Sequence, residues 1–106
     1  MPLRDEIAEL LRMPENGAGA PTLDTIETTL TDGYAEALAL EAERWRIERR
    51  LGEVARDAAD VSAHSVAAEL AELSGRLETA DGELTRLRSL LRNLQARRSQ
   101  LRRARG

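Results

Sequence analysis

The chain has no cysteine, no phenylalanine and no lysine, and only one tryptophan, one tyrosine and one histidine among its 106 residues. Without cysteine, a disulfide framework, a thiol nucleophile and a cysteine-based zinc site are excluded. Because aromatic side chains fill much of a deep globular core, their scarcity favours a narrow seam between helices. The composition is dominated by Ala, Glu, Leu and Arg, which is typical of coiled coils and long helices.

The chain also lacks a long uncharged apolar run. A helix that spans a bilayer needs roughly 18 or more consecutive apolar residues, and no stretch approaches that length. The first six residues, Met-Pro-Leu-Arg-Asp-Glu, reach acidic side chains at once and lack the apolar core of a signal peptide. We therefore expect no membrane span and a cytoplasmic protein.

The N-terminal segment predicts a short amphipathic helix over residues 1–13. Leu3, Ile7 and Leu10 recur at helical spacing, and a proline at the second position is typical of a first helical turn. The proline that follows the segment ends the helix. Residues 14–21 contain two of the three prolines and two of the seven glycines, which predicts a flexible linker.

Apolar residues then follow a seven-residue repeat through almost all of the remaining chain. Their steps alternate between three and four, which keeps one face of a helix against a partner helix. The first run comprises Leu23, Ile26, Leu30, Gly33, Ala37, Leu40, Arg44, Ile47, Leu51, Val54, Ala58 and Val61. The second run comprises Ala63, Val66, Leu70, Leu73, Leu77, Ala80, Leu84, Leu87, Leu91, Leu94, Arg98 and Leu101. The runs predict long helices within residues 22–106, with Thr22 as a suitable N-cap.

The two runs are out of phase, and the break falls within residues 57–65. Asp60, Ser62 and Ser65 are suitable caps for a new helix, so we predict a turn in this segment. A one-residue skip inside one continuous helix, paired in a dimer, is an alternative. A three-helix bundle, with helix ends at internal glycines, is another. The glycines concerned are Gly52, Gly75 and Gly82.

The distribution of charge favours a hairpin. Eight arginines lie within residues 86–105, and no acid follows Glu83. If the chain folds back near residue 60, these arginines lie along an acidic stretch at residues 24–36, whereas a parallel dimer brings the arginines together. The predicted fold is therefore all-α: a long antiparallel helical hairpin of the coiled-coil type, preceded by the short N-terminal helix.

Three positions of the first run are not bulky apolar residues. Gly33 and Ala37 predict a close approach of two helices, or room for a large side chain opposite. Arg44 needs either a buried acid such as Glu78 as its partner or a path along the seam that carries its guanidinium group to water.

No set of residues predicts catalysis or metal binding. His64 is the only histidine, and Asp57 and Asp60 are the acids placed to share a helical face with it. One histidine and two aspartates are a poor ligand set for a transition metal. Pairs of carboxylates along a two-helix seam lack the desolvated cleft that raises a carboxyl pKa for acid–base work. We expect no enzymatic activity, no metal and no cofactor.

The arginine-rich C-terminal stretch suggests nucleic-acid binding as an alternative function, because arginines neutralise phosphates. Against this alternative, the whole chain carries a net charge of −3 and the stretch contains no aromatic residue to stack on bases. The candidate contacts are Arg92, Arg97, Arg98, Arg102 and Arg103.

A second stripe on the first long helix predicts a protein interface. Tyr34, Leu38 and Trp45 follow each other at steps of four and seven, beside the main seam, and Tyr and Trp are favoured anchors at interfaces. Leu90 flanks the second seam at a height close to Tyr34. We therefore predict a non-enzymatic coiled-coil module for protein–protein interaction, a scaffold, adaptor or small helical chaperone. Its partners are another protein or a second copy in a dimer of hairpins.

Overall fold

A computed structural model of the chain describes residues 2–15, 17–58 and 62–105. Within these ranges it contains three helices and no strand: α1 (Pro2–Arg12), α2 (Leu23–Arg56) and α3 (Ala63–Arg105). The prediction of an all-α antiparallel hairpin is confirmed. The alternative of one continuous helix is wrong, since α2 ends at Arg56 and α3 begins at Ala63.

The two long helices begin at polar caps. The amide of Thr25 donates a hydrogen bond to Thr22 Oγ1 at 3.1 Å, and the amide of Ser65 donates to Ser62 Oγ at 3.2 Å. Each hydroxyl satisfies an amide that has no partner within its own helix. The predicted cap Asp60 lies outside the described residues.

The seven-residue repeat identifies the core. The buried apolar residues of α2 and α3, six on each helix, all occupy predicted heptad positions. The helices also continue through their internal glycines, so the predicted alternative ends at Gly52, Gly75 and Gly82 are wrong. In the segment before α2, Gly17 and Gly19 adopt φ of 81° and 89°, a left-handed conformation that glycine adopts without steric cost.

The described chain forms two compact units. Unit 1 comprises Met1–Ala37 and Thr85–Gly106, so α1 belongs to it together with the first part of α2 and the last part of α3. Its core contains Ile7 from α1, and Gly33 lies against Leu91 so closely that a Cβ at position 33 would collide with the leucine side chain. Of the two alternatives predicted for Gly33, room for a large side chain opposite is the one observed, and the side chain of Leu91 occupies it.

Unit 2 comprises Leu38–Leu84. Here residues 38–56 of α2 pack against residues 63–84 of α3. The buried centre of the contact consists of Ile47, Val54, Leu73 and Ala80, and it is flanked by apolar side chains that are only partly buried. The flanking residues are Leu51, Val66, Leu70 and Leu77.

Candidate interaction surface on α2

The exposed large hydrophobic residues of the described chain all lie on α2. Leu38 and Trp45, in unit 2, are 65% and 59% exposed, and Tyr34, in unit 1, is 42% exposed. The seven-residue repeat explains this exposure, because none of the three occupies a seam position. The predicted stripe residues are therefore in contact with solvent.

Leu38 and Trp45 belong to an apolar surface within unit 2 that we call the Trp45 face, defined by Leu38, Ala42 and Trp45. These residues are four and three positions apart and thus share one side of the helix. All three are exposed, as is the neighbouring Ala39, whereas the charged residues between Leu38 and Trp45 are half-buried. The most accessible side chains of this segment are therefore apolar, although charged residues form 33% of the chain.

The indole of Trp45 is held in place by a neighbouring arginine. The guanidinium carbon of Arg49 lies 5.1 Å from the centroid of the ring, within the range of a cation–π contact. Arg49 Nε is in turn 3.8 Å from a carboxylate oxygen of Glu53. The ring is thus oriented before any partner arrives, and more than half of its surface remains accessible.

The opposite side of α2 carries ion pairs to α3. Glu43 and Arg50 lie about 160° and 140° around the helix from Trp45. Glu43 accepts a hydrogen bond from Arg76 at 3.2 Å, and Arg50 donates to Glu69 at 2.8 Å. These contacts fix α2 against α3 in unit 2, and the Trp45 face lies away from them.

Two of these groups have shifted acidities. Hydrogen bonds from Arg46 and then Arg76 hold the pKa of Glu43 below its ordinary value. Hydrogen bonds to Glu69 and then Glu53 raise the pKa of Arg50. Both shifts favour the charged forms.

A surface groove of about 460 Å³ lies on the side of α2 that carries these ion pairs. It is lined in part by Leu40, Glu43, Ile47 and Arg76.

Arg44 adopts the second of the two predicted arrangements. Its side chain is 39% exposed and lies 3.3 Å from Asp81 and 3.7 Å from Glu48. The partner on α3 is thus Asp81, and the expectation of Glu78 is wrong. The guanidinium group thus reaches solvent, which avoids the cost of a buried charge.

In unit 1, α1 lies beside the start of α2. A surface groove of about 700 Å³ is lined by α1 residues and Met13 together with Thr25 and Thr29. These threonines lie about 180° and 140° around α2 from Tyr34, so α1 borders a different side of the helix from the Tyr34 side chain. Leu90, on α3, is half-buried, and its approach to Tyr34 stays a prediction.

The arginine-rich end of α3 contributes to the packing of unit 1. Arg97 donates hydrogen bonds to the main-chain oxygens of Leu11 at 3.0 Å and Met13 at 3.2 Å, and Arg102 pairs with Glu27 at 2.7 Å. A cation at the carboxyl end of a helix satisfies carbonyls that lack partners within the helix. Two of the five arginines proposed as nucleic-acid contacts thus bind within the chain.

The other three arginines differ in their surroundings. Arg98 is half-buried, and its Nε is buried without a hydrogen-bond partner within the described structure. Arg92 and Arg103 are exposed. The role of Arg97 could not be predicted from the sequence, because its acceptors are main-chain carbonyls that every residue carries.

The described residues contain no group of three or more histidine, cysteine or acidic side chains placed to hold a metal ion. His64 is exposed in the first turn of α3, and Asp60 lies outside the described ranges. Within those ranges, no helix combines the length and the apolar character required to cross a membrane. Comparisons with protein-family models, curated proteins and solved structures found no match to this chain.

Proposed function

We propose that the chain is a non-enzymatic protein–protein interaction module that binds through the Trp45 face. The observation that carries the proposal is the exposure of Leu38 and Trp45 on one side of a helix. Leaving two large apolar side chains in water is unfavourable by about 25 cal/mol per Å² relative to covering them. Tryptophan is among the residues that contribute most to binding when it is buried at an interface.

The packing of unit 2 supports this role. Arg50 and Glu69, together with Arg76 and Glu43, connect α2 to α3 on the side away from Trp45, and Arg49 holds the indole. A surface that is already ordered loses less conformational entropy when a partner binds. The Trp45 face is therefore suited to hold another helix, as in a scaffold or adaptor.

Light scattering coupled to size exclusion, together with pull-down on the immobilised chain, tests the proposal. Trp45→Ala removes the centre of the face, whereas Arg46→Ala changes the adjacent exposed residue on another side of α2. We expect an association, with a protein partner or with itself, that persists in Arg46→Ala and disappears in Trp45→Ala. A chain that stays monomeric at high concentration, and retains no protein that Trp45→Ala fails to retain, contradicts the proposal.

A further inference from the structure

We infer that the Trp45 face binds a second copy of this chain, with the two α2 helices antiparallel and crossing at Ala42. The inference rests on the proposed function and adds the partner and its orientation. Two properties of α2 support it, the order of large and small residues on the face and the separation of charge along the helix, and the area of the face limits the expected affinity.

The order of side-chain sizes on the face is self-complementary. Leu38 and Trp45 lie four residues before and three residues after Ala42, so a two-fold axis near Ala42 places Leu38 of one copy opposite Trp45 of the other. The two Ala42 residues then meet at the crossing, where small side chains permit a close approach of helices. A two-fold dimer requires a surface that is complementary to itself in this way.

The charges along α2 favour the antiparallel orientation. Residues 23–43 contain six acids and no arginine, whereas residues 44–56 contain five arginines and two glutamates. Glu27, Glu43, Arg44 and Arg50 form ion pairs with α3; without them, four acids in the first part still stand against three arginines and two glutamates in the second. An antiparallel pair brings the acidic part of each helix beside the arginine-rich part of the other. A parallel pair brings like charges together. It also places the Arg49 residues of the two copies, each of which lies over its own indole, next to each other. Such like-charge contacts disfavour the parallel orientation.

The area of the face indicates a weak dimer. At the exposures of Leu38 and Trp45, these two side chains together offer about 250 Å² per copy. A standard stable interface buries about 800 Å² per partner, so the remainder comes from alanines and polar residues around the face. We therefore expect a dimer that dissociates on dilution, with a dissociation constant of about 10 μM or above.

Spin-label distances distinguish the two orientations. Because the natural chain has no cysteine, Arg56→Cys introduces one label per copy at an exposed position in the last turn of α2. Arg56 lies 14 residues from Ala42, or about 21 Å along the helix. The antiparallel dimer thus separates the two labels by about 42 Å, whereas parallel helices at 8–10 Å between axes bring them to within about 20 Å.

We expect the mass from light scattering to rise from 11.7 kDa towards twice that value between about 1 and 500 μM, with labels about 42 Å apart. Adding Trp45→Ala must abolish both signals, while Arg46→Ala retains them. Circular dichroism shows that each variant keeps its helices.

A label distance below about 20 Å overturns the inference and leaves the proposed function standing, because Trp45 would then mediate a parallel dimer. A chain that stays monomeric overturns the inference as well. If that monomer still retains a protein in a Trp45-dependent way, the proposed function survives with a different partner. If it retains none, both fail.

Discussion

Units 1 and 2 use segments of the same two long helices, but they bury their apolar side chains to different extents. In unit 1, five of the eight buried apolar residues are only 0–1% exposed, namely Ile7, Ile26, Leu30, Leu87 and Leu94, and the other three are 3–9% exposed. In unit 2, Leu84 alone of the six buried apolar residues is as little as 1% exposed, the other five are 3–9% exposed, and four further seam residues are only partly buried. The difference corresponds to a third helix, since α1 belongs to unit 1 alone.

This comparison shows how far two helices can bury their apolar side chains without a third helix. Two helices contact each other along a single stripe, so the side chains at its edges stay partly in water. In unit 1, α1 adds a second apolar surface through Ile7 and Leu10, both of which are buried. In unit 2, cross-helix ion pairs such as Arg50–Glu69 line the edge of the seam, and Leu38 and Trp45 remain exposed.

The largest expected effect comes from truncating the same residue type in each unit. Leu94 in unit 1 is fully buried, whereas Leu77 in unit 2 is partly buried, and both are seam residues of α3. We expect Leu94→Ala to lower the free energy of unfolding by about 3–4 kcal/mol and Leu77→Ala by about 1–2 kcal/mol. Urea unfolding followed by circular dichroism measures both values. Equal costs would show that the two units are packed alike, contrary to the comparison.

The sequence predicted the seams of both units well, because burial in a helix pair follows the seven-residue period directly. It also predicted the cap Thr22, and it named Ser62 as one of three candidate caps for α3, of which Ser65 lies within that helix. Arg44 was assigned the wrong partner on α3, since the repeat fixes which side of a helix faces its neighbour but leaves the shift along the axis open. The contacts of α1 could not be predicted, because Arg97 binds main-chain oxygens.

The exposed residues of the candidate surface could be predicted for a related reason. A large apolar residue outside the repeat, such as Leu38 or Trp45, has no place in the seam of a two-helix contact. The sequence could not show that Arg49 lies over the indole, because the rotamers of two long side chains decide that contact.

The next prediction concerns the attachment of α1, the element that distinguishes unit 1. Arg97→Met keeps an unbranched apolar stem but removes two charge-assisted hydrogen bonds to the carbonyls of Leu11 and Met13. We expect a loss of about 1–2 kcal/mol and faster hydrogen exchange in α1. Arg102→Met, which removes the exposed pair with Glu27, serves as the control, with an expected cost of 0 to about 1 kcal/mol. Unchanged exchange in α1 would argue against Arg97 as its attachment.

Replacing one glycine by alanine in each unit is expected to change the stability of the protein by a smaller amount, with opposite sign in the two units. Ala in place of Gly in a helix interior stabilises by about 1 kcal/mol. At Gly75 in unit 2 the new methyl group meets open space, so Gly75→Ala should stabilise the protein. At Gly33 in unit 1 the methyl group collides with the buried Leu91, and overpacking costs about 1–3 kcal/mol. We therefore expect Gly33→Ala to destabilise by about 1 kcal/mol net in thermal unfolding. Stabilisation by both substitutions would indicate that unit 1 packs more loosely than its burial suggests.

The smallest expected effect is a difference between the two units in how the stability from a cross-helix contact depends on pH. The pKa of Glu43 in unit 2 lies below the ordinary 4.5, chiefly because Arg46 and then Arg76 donate hydrogen bonds to the carboxylate. Since the unfolded chain binds the proton more readily, the stabilisation from Glu43 is complete above the ordinary pKa and is lost as the pH falls through the lowered one. The carbonyl acceptors of Arg97 in unit 1 do not titrate in this range.

We therefore expect the gap in melting temperature between the wild type and Glu43→Gln to be largest near neutral pH and to close as the pH falls below the ordinary pKa of 4.5 and through the lowered pKa. The gap should be small, because Glu43 is on the surface and its ion pairs are screened by water and salt. The gap between the wild type and Arg97→Met is expected to persist over the same range, since a carbonyl oxygen keeps its acceptor capacity in mild acid. If both gaps close together, acid weakens the two units through a common cause. The contacts of Glu43 in unit 2 and of Arg97 in unit 1 then do not differ in their dependence on pH.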